Sequence, residues 1–154
     1  MGIRTQSLKH KETGYERLRS IVRNISDITF NTKTDLVVVE GPSFASKGRS
    51  THQIAGLWWL VTYVLHVNGQ PFAVAPPTVV KKYLTGKGTA SKDDMVREAT
   101  KRYSKFDGDN NQADALALLA IGADKLGVPF MHMPQVNRSV LDKVDWPESV
   151  ISRG

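Results

Sequence analysis

The 154-residue chain has no cysteine, which rules out disulfides, cysteine metal sites and thiol nucleophiles. It also has no long hydrophobic run. The longest apolar stretch, Ile54 to Val67, is broken by Gly56, Thr62 and His66, too short and too polar to cross a bilayer. The segment Met1 to Glu12 lacks the apolar core of a secretory signal, so a cytoplasmic protein with no membrane partner is expected. Internal repeats and low-complexity tracts are absent. With 40% apolar and 23% charged residues, the composition is that of one folded domain over 1–154.

Acidic excess is lacking too: the net charge is +6. Nearly all of it falls in 81–105, where Lys81, Lys82, Lys87, Lys92, Arg97, Lys101, Arg102 and Lys105 face only Asp93, Asp94 and Glu98. Such a cluster fits either a solvated helical face or a surface that displaces counterions from a phosphate backbone.

Apolar periodicity after a Thr13/Glu16 capping box predicts an amphipathic helix over 14–26. Asp35 to Glu40, rich in valine and closed by Gly41-Pro42, reads as a strand covered on both faces. A second capping box, Ser50/Gln53, opens a helix over 51–68 that is apolar almost all round and is stopped by Gly69. One side of it would face the sheet, and Trp58 or Trp59 on the other would meet a second subunit. Phe72–Ala75 reads as a short strand, followed by helices over 78–84, 92–103 (capped by Ser91) and 110–126 (capped by Asp109 or Asn110). Val128 to Met133 reads as an edge strand, and 134–154 as a peripheral tail. Alternating strands and helices give a layered α/β fold.

Two acids stand out. Glu40 ends a buried strand, the position where open α/β sheets place ligand sites, although strands also end in solvated acids. Asp114 opens an apolar helix beside Ala113 and Ala115, either complementing the helix dipole or reaching a metal ion. Two other patterns fail. Asp107-x-Asp109-x-Asn111 starts like a calcium loop but has Gln112 for the turn glycine and Leu118 for the closing acid. The glycine loop 41–50 has Arg49 where a phosphate-binding P-loop needs lysine, leaving Lys47, Arg49 and a helix start as a possible phosphate seat.

Several segments, in order, resemble phage-type RuvC Holliday-junction resolvases of the RNase H-like superfamily. They are Val37-Val38-Val39-Glu40-Gly41-Pro42-Ser43-Phe44, Lys47-Gly48-Arg49-Ser50, Gln53-x-x-Gly56-Leu57 and Phe72-x-x-x-Pro76-Pro77. Lys81-Lys82-Tyr83-x-x-Gly86-Lys87-Gly88-x-Ala90-x-Lys92 and Asn111-Gln112-Ala113-Asp114-Ala115-Leu116 complete the set, which spans roughly Thr13 to Trp146. The resemblance implies an RNase H-like mixed sheet flanked by helices, and phosphodiester hydrolysis at a four-way DNA junction by a homodimer, with two magnesium (or manganese) ions per site held by four carboxylates. Glu40 matches the strand-end glutamate and Asp114 the final aspartate. Phe44 falls near an aromatic that contacts bases, or is a loop anchor. Lys82, Lys87 and Lys92, with Lys47 and Arg49, fall among backbone-contacting residues, or are solvated.

This chain departs from the family pattern twice. The first strand, which carries the first metal-binding aspartate, belongs before the Thr13 helix, where the one acid is Glu12. Asn111 stands three residues before Asp114, where many members place an acid, and Asp109 in the preceding turn fits an N-cap or a substitute ligand. The alternative expectation is therefore a catalytically silent branched-DNA-binding module, degenerate or N-terminally truncated.

Overall fold

The computed structural model of the protein describes residues 13–42 and 49–152, without the side chains of Arg49 and Ser50. Phe44 and Lys47 lie outside the described residues, as do the Arg49 side chain and the Ser50 half of the second capping box.

Two strands form the sheet among the described residues. β1 (Val37–Glu40) and β2 (Phe72–Ala75) pair in parallel, with Val38 opposite Ala73 and Glu40 opposite Ala75. A parallel pair needs a crossover, supplied by α2 (Arg49–Val67). Side chains alternate along a strand, so Val38, Glu40, Ala73 and Ala75 share one face. That face receives α5 (Asn110–Lys125), and α3 (Pro77–Thr85) and α4 (Lys92–Arg102) pack beside it. α1 (Gly14–Asn31) packs on α2. Gly122 admits this close packing: a Cβ there would sit 2.9 Å from Val38 Cγ2.

The core lies on the α3–α5 side, where Ala73, Ala75, Val80, Tyr83, Leu84, Met95, Leu116 and Ile121 are fully or almost fully buried. The α1–α2 side is thinly covered. No residue of α1 is buried, and Trp59 (68% exposed), Tyr63 (63%) and Val67 (55%) line one side of α2 at helical spacing. β1 corrects the expectation of a strand covered on both faces: all four residues are half-buried. Beside it a groove of about 420 Å³ opens between Leu36, Val38 and the Ala115, Leu118, Leu119 and Gly122 side of α5.

Further differences have local causes. The Thr13 side chain caps nothing; Gly14, at φ +59°, turns the chain there, and Glu16 pairs with Arg19 at 2.8 Å. Val128 to Met133 form no strand. Gly127, at φ +76°, closes α5 by donating its N–H to Asp124, and Val128 donates back to Ala123, so these donors are spent on the helix end. Pro129 and Pro134 bracket the rest, and Met131 and Met133 plug into the core. Beyond Pro134, read from sequence as a peripheral tail, come α6 (Gln135–Arg138), a 3-10 turn (Ser139–Lys143) and α7 (Glu148–Ile151). Val140 and Val144 join the core, and Asp145 bridges antiparallel to Val74, covering the outer edge of β2. No described helix is long and apolar enough to cross a membrane.

Candidate functional site

Because the strands are parallel and in register, whatever follows Ala75 stands beside whatever follows Glu40. At that end Glu40 points to the α5 side, and α5 presents Asp114 near its start. Both carboxyls are partly withdrawn from water, and each is raised above the usual carboxylate range. For Glu40 the causes are burial first and then the negative charge of Asp114, opposed by Lys81. For Asp114 burial is opposed by Lys81 and then Lys92. The two acids therefore feel each other and share Lys81, a cluster of coupled charges of the kind found at functional sites. Two carboxylates, as hard oxygen donors, suit one magnesium- or manganese-sized ion completed by water. No group of three or more His, Asp or Glu side chains lies within metal-holding reach among the described residues.

The other expected site residues fall around this pair. Asp109 caps α5: its Oδ1 accepts from the Gln112 N–H at 3.0 Å, and Gln112 Oε1 accepts from the Asp109 N–H at 2.9 Å. Asn111 is exposed in the first turn of α5, one turn before Asp114. Trp58 and Trp59 separate. Trp58 is half-buried, and its indole N–H donates to the Glu40 carbonyl at 2.8 Å, whereas Trp59 faces outward with its ring edge-on to Trp58.

Lys81 was missed as a site residue. Only part of its signal lies in the sequence: the strand-Pro-Pro junction starts α3 at the same sheet end as Glu40, but nothing there separates Lys81 from Lys82. The basic segment itself divides. On α4, Arg97 pairs with Asp94, and Glu98 takes both Lys101 (3.9 Å) and Arg102 (3.3 Å). Arg102 also ties α4 to the Leu84 carbonyl at 2.9 Å. Lys82, Lys87 and Lys92 have no ion-pair partner among the described residues, and the latter two are exposed.

No family model and no characterised protein sequence matches the chain. Solved structures do. Thermus thermophilus RuvC superposes with a TM-score of 0.60 at 20% identity, over 84% of this chain and 79% of that one. T. thermophilus RuvC in complex with Holliday junction substrate gives 0.58 at 18%, over 82% and 78%. The chain has the RuvC fold, an RNase H-like α/β architecture.

Proposed function

We propose that this chain is a structure-selective, metal-dependent endonuclease that hydrolyses phosphodiesters at four-way (Holliday) DNA junctions. The observation that carries the reading is the Glu40–Asp114 pair, half-buried and mutually repelling at the carboxyl end of a parallel sheet with this fold. A bound Mg2+ or Mn2+ would activate the attacking water and neutralise charge at the scissile phosphate. Glu40 and Asp114 would hold it, with Asn111 available through its amide oxygen. Lys81 and Lys92 would draw the phosphate toward the acids. A specific observation favours a second reading, a silent branched-DNA-binding module: among the described residues the cluster offers two carboxylates, where two ions call for about four negative charges. Incubating the purified protein with a four-way junction and Mn2+ separates the two. Metal-dependent nicking that is lost in Glu40→Gln is the result expected of the endonuclease; junction binding without nicking leaves the silent module. Symmetric nicking at turnover rates would show that a further residue, such as Asp109, completes the site.

Lys82, Lys87 and Lys92, whose charges α4 does not neutralise, would contact the phosphate backbone. Reversing Lys87 and Lys92 to Glu lowers affinity for any branched DNA and flattens the dependence of log K on log salt by about two units. An unchanged slope, measured by fluorescence anisotropy from low to moderate salt, would make them solubility residues only.

The apolar side of α2 supports a homodimer. Trp59, Tyr63 and Val67 present a row that nothing in the described residues covers, the kind of patch that a second copy buries. Sedimentation at tens of micromolar should give a dimer, and Trp59→Asp a monomer. Trp58, bonded within its own subunit, is not expected to be the contact.

A further inference from the structure

The peptide unit that joins Glu40 to Gly41 is held at both poles. Its N–H, from Gly41, donates to the Ala75 carbonyl of β2 at 2.8 Å. Its carbonyl, from Glu40, accepts the Trp58 indole N–H at 2.8 Å. The register explains why the second bond is needed. Val37 and Gly41 direct their N–H groups to β2, so Val38 and Glu40 direct theirs, and their carbonyls, to the outer edge of β1. No strand lies along that edge among the described residues. Without Trp58, the last peptide unit of the strand would be held through its N–H alone, at the point where the chain leaves the sheet. A peptide plane fixed at both ends fixes the backbone torsion that aims the Glu40 Cα–Cβ bond.

The indole is well placed for this. It is half-buried, braced edge-on by Trp59 with ring centroids 5.1 Å apart, and it carries only two side-chain torsions, so little freedom is lost in holding it. We propose that Trp58 is a positioning residue for Glu40, aiming the carboxylate at the cation shared with Asp114. This rests on the reading of Glu40 and Asp114 as a cation site. The competing role is purely structural: a clip between α2 and β1 that satisfies an edge carbonyl.

The test uses the full chain with two changes at this position, Trp58→Phe and replacement by benzothienylalanine, which keeps the ring shape and lacks the N–H. With Mn2+ as the probe, we expect affinity about three- to tenfold weaker in both, the effect of losing one part-buried hydrogen bond. Trp146→Phe, a tail indole bonded to the Leu141 carbonyl, should bind Mn2+ as the unaltered chain does. In 15N-labelled protein, Mn2+ should broaden the Trp58 indole signal before that of Trp146. Broadening at Trp58 together with an affinity within about twofold of the unaltered chain in the benzothienylalanine form would overturn the positioning role alone. Failure of Mn2+ to broaden Trp58, with its N–H still slow to exchange, would overturn the cation site and this inference with it.

Discussion

Glu40→Gln removes cation binding while raising the thermal stability of the cation-free protein. The two effects have one origin. Burial and the neighbouring Asp114 charge make ionised Glu40 uncomfortable in the fold, and Lys81 only partly offsets them. A neutral amide of the same shape escapes that repulsion. The sign against pH follows from the raised value. A carboxyl whose folded pKa lies above its unfolded one adds proton-linked stability that is complete below the unfolded value. That stability is lost as pH rises through the folded value. The advantage of Gln should therefore vanish in acid and be full at neutral pH. Asp114→Asn should behave alike, since burial also raises Asp114. Most substitutions destabilise, so a gain is diagnostic of a site built for function at the expense of stability. Mn2+ affinity should fall at least about a hundredfold in either variant, because loss of outer-sphere partners alone costs ten- to hundredfold. Any nicking activity should fall by at least a similar factor. Melting curves from pH 4 to 8, with and without Mn2+, check both halves. A variant that loses stability at neutral pH without metal would show that the acids are satisfied by the protein itself, and the cation reading would go.

The parts of this site that were legible in the sequence are those written in local chemistry. A valine run ended by Glu40 and Gly41-Pro42 could hardly be anything but a strand, although its burial is only partial. The apolar helix after Asp114 had to lie against it. Ser91 marks the start of α4, and of the two cap candidates before α5, Asp109 and Asn110, Asp109 is the one that caps. What was hidden depends on packing between distant segments. The parallel register brings Lys81 to the two acids, and no spacing within the 81–92 run distinguishes it from Lys82. Adjacent tryptophans look equivalent until the edge of β1 claims one of them. Met131 and Met133 do point inward as an alternating segment would, while Pro129, in the same register, is exposed. Two prolines and a helix closure nevertheless leave that segment without a ladder. The region after Pro134 looked peripheral because its apolar residues are sparse; a buried charge fastens it instead.

That charge is Asp124, near the end of α5, and removing its partner should produce a large loss of stability for a residue that is itself half exposed. The Asp124 side chain is 2% exposed. Arg138, from α6, reaches it with Nε at 2.9 and 3.1 Å and with Nη2 at 2.6 Å, a two-pronged grip. The Tyr83 hydroxyl donates to the same carboxylate at 3.0 Å, and burial together with that carboxylate's charge holds the phenol protonated. Asn137, beside Arg138, donates to the Tyr83 carbonyl at 2.8 Å, so one short helix fastens α3 and α5 together. Arg138→Ala strands a buried carboxylate with only the phenol for company. Breaking such a pair from one side typically costs 3–5 kcal/mol. Arg138 is 46% exposed, so water can enter as the guanidinium leaves, and about 3 kcal/mol is expected. In a chain of this length that lowers the melting temperature by roughly 6–12 °C. Asp124→Asn should cost less, about 1–2 kcal/mol, because it removes the charge that needs pairing, keeps an oxygen for Tyr83 and leaves Arg138 partly in solvent. The order of the two variants is the sharper test. Urea unfolding in which Arg138→Ala lies within 1 kcal/mol of the unaltered protein, or in which Asp124→Asn is the worse of the two, would mean that water already satisfies the carboxylate and that the tail is held by its valines alone.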